Sequence, residues 1–188
     1  PDDAVLIATS GRYEFKNKGI DMYVDALNRL RLHYDGEREI IAFVLVPAWV
    51  NEPRADLLER LESGESYRTP LPDPYITHTL HNMAEDKVVN QIRYCGFPQK
   101  PESKLKIIFV PSYLTGNDGI VDLTYYDTLI GFDATAFPSY YEPWGYTPLE
   151  SIAFGVPSVT TDLSGFGMWI KNMANYGPVS YTHLTLPT

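Results

Sequence analysis

The run Ile40-Ile-Ala-Phe-Val-Leu-Val46, stopped by Pro47, limits the fold more than any other stretch. Every residue in it is apolar, so a strand built from it needs cover on both faces. A shorter apolar run at 5–8 and the stretches 105–110, 134–137 and 158–161 read as four more strands. Between them, helical spacing is written at 18–32, 54–62, roughly 80–95 and 122–130, and a last helix opens near Gly165. In the first of these, Ile20, Tyr23, Val24 and Leu27 share one face. The stretch 63–74, rich in Gly, Ser and Pro, reads as a loop. Strands alternating with helices, with apolar rather than alternating strand patterns, predict an α/β fold: a doubly wound parallel sheet covered by helices on both faces.

The remaining composition sets outer bounds. A chain of 188 residues, 44% hydrophobic and 21% charged, is one globular domain with room for a sizeable core. No apolar run approaches the roughly eighteen residues of a membrane span, and no basic region followed by an apolar stretch opens the chain. Neither a membrane segment nor a signal peptide is expected. The single cysteine, Cys95, excludes an internal disulfide and fits a reducing, cytoplasmic compartment. A net charge of −9 argues against nucleic acid as a partner, although Arg12, Lys16 and Lys18 form a local basic cluster.

Chemistry concentrates in 137–150, where Glu142 and Glu150 stand in a Glu-x7-Glu spacing across a turn into a helix. Thr147 is a natural N-cap, Pro148 suits the first helical position, and Glu150 sits where a capping box places its carboxylate. The turn Pro143-Trp144-Gly145-Tyr146 then aims backbone N–H groups outward at the positive end of a helix, a ready phosphate site. Gly145 lets a backbone approach a phosphate closely, and Thr147 serves equally well as phosphate donor or as cap. Arg12 and Lys18 follow a strand end on the same side of the sheet. A guanidinium and an ammonium there can grip a diphosphate or form a solvated basic turn. Lys16 reads as a surface lysine, and Tyr140 and Tyr141 as packing residues. His33, His78, His81 and His183 show no metal-ligand spacing, so no metal is expected. Gly-Lys-Ser/Thr and Gly-x-Gly-x-x-Gly motifs are absent, which argues against an ATPase and a dinucleotide oxidoreductase.

The run Tyr-Glu142-Pro-Trp-Gly-Tyr-Thr-Pro-x-Glu150, followed by Gly155-Val-Pro-Ser-Val-Thr-Thr-Asp-Leu-Ser-Gly-Phe-Gly167, resembles the animal/fungal-type glycogen synthase family. Gly11-Arg-Tyr-Glu-Phe-Lys-Asn-Lys-Gly19 is similar to that family's opening nucleotide-binding loop. Ile76-Thr-His78 with Asn82, and Lys106-Ile-Ile-Phe-Val-Pro-Ser-Tyr-Leu, extend the likeness over about residues 4 to 173. The resemblance implies a Rossmann-like fold, the C-terminal half of a two-domain B-type glycosyltransferase, with residues 1–178 as its nucleotide-sugar domain. It implies retaining transfer of glucose from UDP-glucose to an α-1,4-glucan, with no cofactor beyond the donor. Arg12 and Lys18 would hold the diphosphate and Glu142 would face the glucose. Glu150 would bind ribose hydroxyls, Tyr125 would stack on uracil, and Trp144 to Thr147 would line the phosphate turn. A related transferase using ADP-glucose, or a nucleotide-sugar binding module without turnover, are the alternatives.

Enzymes of that family carry the acceptor site on an N-terminal domain, and a glucose 6-phosphate sensor nearer the C-terminus, that this chain lacks. The expectation is therefore weak binding of UDP or UDP-glucose without glucan elongation, in a full enzyme that is a candidate homo-oligomer. Residues 179–188 have neither helical period nor the expected continuation and read as a non-native or frame-shifted tail.

Overall fold

The computed structural model of the chain describes residues 3–65, 67, 69–97 and 102–174. The segment read as a tail lies outside the described residues. The strands are β1 (Val5–Ser10), β2 (Ile40–Leu45), β3 (Val50–Pro53), β4 (His78–Leu80), β5 (Leu105–Val110), β6 (Ala134–Phe137) and β7 (Ser158–Thr160). The helices are α1 (Ile20–His33), α2 (Ala55–Ser63), α3 (Lys87–Tyr94), α4 (Tyr125–Leu129), α5 (Tyr146–Ala153) and α6 (Gly165–Ala174).

Five strands form one parallel sheet in the order β5-β2-β1-β6-β7. Successive residues of β2 point to opposite faces. Ile40, Ala42 and Val44 join a core with Ile20, Val24 and Leu27 of α1 and Val88, Val89 and Ile92 of α3. Phe43 and Leu45 join a second core with Leu129, Phe132 and Val156. Phe43 meets Phe132 edge-on, ring centroids 5.3 Å apart. Helices thus cover both faces, and the apolar strands expected from the sequence are its centre. Registers align the carboxyl ends: Ser10 lies beside Leu45, which lies beside Val110.

Three local departures from the sequence reading have clear causes. A two-stranded antiparallel ribbon of β3 and β4 stands apart from the main sheet, and neither strand is long enough to show a period of two. The helix expected over 80–95 begins only at Lys87. Turns closing on the Asn82 carbonyl precede it, and Asp86 caps it by accepting from the Val89 N–H at 2.9 Å. The first helix begins at Ile20 because Gly19 turns left-handed, at φ 65°. Among the described residues no helix is long and apolar enough to cross a membrane.

Candidate functional site

From β1 the chain runs outward to β2 and β5, then crosses to the other side of β1 for β6 and β7. The loops after β1 and β6 therefore part at the carboxyl edge of the sheet, where open α/β sheets receive their ligands. These two loops are joined directly. The Tyr140 N–H donates to the Asn17 carbonyl at 2.9 Å. Gly19 lies so close to Pro138 that an added Cβ would stand 1.8 Å from the Pro138 carbonyl oxygen. Beside this seam the Lys18 ammonium donates to Glu142 Oε2, with side chains only 14% and 15% exposed. Two of the sequence-predicted residues, from opposite ends of the chain, thus form one ion pair.

The Glu142 backbone is fixed from its other side as well. Its carbonyl accepts from the Gly165 N–H at 3.1 Å, and the Phe166 N–H donates to the Trp144 carbonyl at 2.7 Å. Trp144 packs edge-on to Phe166, centroids 6.1 Å apart, and leans toward Trp169. Tyr140 and Tyr141, expected as packing residues, are exposed instead. They sit on the outward turn whose backbone, not whose rings, makes the seam. Lys16 is an exposed surface lysine as read, bonded to Asp21 at 2.5 Å.

The start of α5 differs from the expected cap. Gly145, left-handed at φ 104°, is the N-cap, and no side chain caps the helix. Thr147 and Pro148 already lie within the first turn, so the capping box does not form. The Glu150 carboxylate accepts from the Tyr126 hydroxyl at 3.2 Å instead. The unpaired N–H groups of that turn remain at the positive end of the helix.

Next to the ion pair opens a cleft of about 300 Å³. Gly11, Arg12, Tyr125 and Thr147 line it, with Leu45 and the 112–115 segment as its far wall. Lys18, Glu142, Trp144, Gly145, Tyr146 and Glu150 are not among its lining residues. The Arg12 side chain, 76% exposed, pairs with Glu14 at 2.9 Å, a contact that water screens and a ligand can displace. The Tyr125 hydroxyl lies 2.8 Å from Ser10 Oγ, and burial above all holds its pKa above the ordinary tyrosine value.

Sequence reasoning missed the loop at 112–124, whose first residues, 112–115, form that wall. Asp118 organises it by accepting from the N–H groups of Ile120, Val121 and Asp122 at 3.2, 3.0 and 2.9 Å. His78, almost fully buried, sets Nε2 2.9 Å from the Asp118 carbonyl oxygen. The available signal was Asp118-Gly119 ahead of Asp122, an Asx-turn pattern. Among the described residues no group of three or more His, Cys, Asp or Glu side chains is placed to hold a metal ion.

The family model for glycogen synthase matches residues 1–63 and 65–181. Glycogen [starch] synthase of Neurospora crassa is 33% identical over 94% of this chain and 33% of its own length. Isoform 2 from Saccharomyces cerevisiae is 33% identical over 92% of this chain and 33% of its own. The liver enzyme of Mus musculus is 28% identical over 90% of this chain and 31% of its own. The chain thus spans about a third of the length of the curated relatives it matches. The crystal structure of WaaG, a glycosyltransferase involved in lipopolysaccharide biosynthesis, aligns with a TM-score of 0.49 at 16% identity, over 100% of this chain and 35% of that chain. The family match takes in both loops of the switch point and the helices behind them, and the chain belongs to the glycogen synthase family.

Proposed function

We propose that this chain is the donor-binding domain of a retaining glucosyltransferase that moves glucose from UDP-glucose to the end of an α-1,4-glucan. The observation that carries the reading is the Lys18–Glu142 pair at the switch point, beside a cleft that Arg12, Tyr125 and Thr147 share. A nucleotide in that cleft sets its base against Tyr125. Its ribose hydroxyls reach the Glu150 carboxylate, and its diphosphate lies between Gly11-Arg12 and the first turn of α5. Arg12 leaves Glu14 for the diphosphate, and Lys18 divides its charge between Glu142 and the phosphates.

In the reaction the bond between the anomeric carbon and the diphosphate oxygen breaks, and the acceptor oxygen takes its place on the same face. The acceptor proton passes to the departing diphosphate. Arg12, Lys18 and the N–H groups of α5 offset the charge growing on UDP, a preorganised electrostatic contribution that is often the largest in catalysis. Glu142 accepts glucose hydroxyls or stabilises positive charge at the anomeric carbon, and is assigned no covalent role. The acceptor glucan docks on a domain outside this chain, so the chain alone binds donor and does not elongate glucan.

The test is calorimetric titration with UDP, UDP-glucose and ADP-glucose. Uridine-selective binding is expected, weakened about tenfold to a hundredfold in Arg12→Ala or Lys18→Ala by loss of a charge-assisted contact. Equal affinity for ADP-glucose would reassign the donor. Binding untouched by both substitutions would move the site elsewhere.

A further inference from the structure

The loop that carries Arg12 and Lys18 is tied to the start of α3 through one hydroxyl. Tyr13 follows Arg12, and its hydroxyl donates to Asp86 Oδ2 at 2.6 Å while accepting from the Val88 N–H at 3.3 Å. Asp86 is 2% exposed, and its other oxygen accepts from the Val89 N–H as the cap of α3. One carboxylate therefore serves helix and loop together. The helix is rigidly set, since Val88, Val89 and Ile92 are completely buried in the core that α1 and the sheet share. The Tyr13 ring and Phe15 pack against that same core. Burial, and then the bond to Asp86, hold the Tyr13 phenol far above its ordinary pKa, so it stays a donor at any working pH.

Ring packing alone leaves a loop free to roll about the contact. Two directional hydrogen bonds to one hydroxyl remove that freedom, and the loop they hold carries Arg12, next to Tyr13, and Lys18, five residues on. We propose that Tyr13 and Asp86 are a positioning pair that orients Arg12 and Lys18 toward the donor diphosphate, with no contact to the ligand themselves. This rests on the donor-site reading above and adds to it how the phosphate loop is set.

The test separates phosphate from base. Chemical-shift titrations with uridine and with UDP are made on the wild-type chain, Tyr13→Phe and Asp86→Ser, with thermal unfolding alongside. Tyr13→Phe keeps the ring, and Asp86→Ser keeps a good helix cap while removing the carboxylate that holds the phenol. Each is expected to weaken UDP about tenfold and to leave uridine within about twofold, as misplacing one charged contact would do. The double substitution is expected to be no worse than either single one. UDP affinity unchanged in Tyr13→Phe, equal losses for UDP and uridine, or additive losses in the double variant would overturn the pair. A wild-type chain that binds uridine and UDP equally, or neither, would remove the donor-site reading and this inference with it.

Discussion

At position 19 the missing side chain is what lets the two loops meet. Gly19 is left-handed and faces the Pro138 carbonyl with no room for a methyl group. Gly19→Ala combines backbone strain with a clash against main chain, and a loss of about 2–4 kcal/mol is expected. Urea unfolding midpoints check this. The Lys18–Glu142 pair is the second residue-scale lock. Because both side chains are mostly shielded, Lys18→Gln leaves Glu142 charged and without its cation. The expected loss is about 1–3 kcal/mol, less than for a fully enclosed pair. The double variant Lys18→Gln/Glu142→Gln should recover most of it, and a double-mutant cycle read by unfolding decides.

At the scale of elements, legibility followed how far each signal stood from its neighbours. Strands β2 and β5 were readable because their sequences are apolar on both faces, Lys106 apart, although one face is only partly buried. The ribbon of β3 and β4 was not, since its pairing joins short segments across the α2 connection. Thr147-Pro148 carries the local signature of a helix start, but Gly145 can turn left-handed and begins the helix sooner. Arg12, Lys18, Glu142, Tyr125 and Thr147 could be named from motifs, whereas the meeting of Lys18 with Glu142 and of His78 with Asp118 needed the fold. The ribbon has its own lock in Arg54, which donates to the Pro72, Asp73 and Ile76 carbonyls and to the Asp56 carboxylate. That bond, first among its causes, lowers the Asp56 pKa. A depressed carboxylate stabilises the fold above its unfolded value, about 4, and loses that effect as pH falls through the folded value. Asp56→Asn should therefore be less stable than wild type at neutral pH, and the gap should close below about pH 4. Urea midpoints across that range test it.

Across the whole molecule, the sheet separates two apolar layers and leaves the polar machinery at one edge. Phe109 of β5 is completely buried in the larger layer. Phe109→Ala should cost about 3–5 kcal/mol, read from chemical unfolding, without touching any cleft residue. The central place of β1 has a consequence in time as well as in space. Its partner β2 follows closely in the chain, but β6 arrives from far downstream: the Leu6 N–H meets the Asp133 carboxylate across 127 residues. Closing so long a loop is entropically unfavourable and slow, so the seam between positions 19 and 138 belongs late in folding. On the proposed donor-site reading, competence to hold a nucleotide would then mark the arrival of the last strands. A ligand present during refolding would act as a latch on that final step, holding closed a junction that it had no means to hasten.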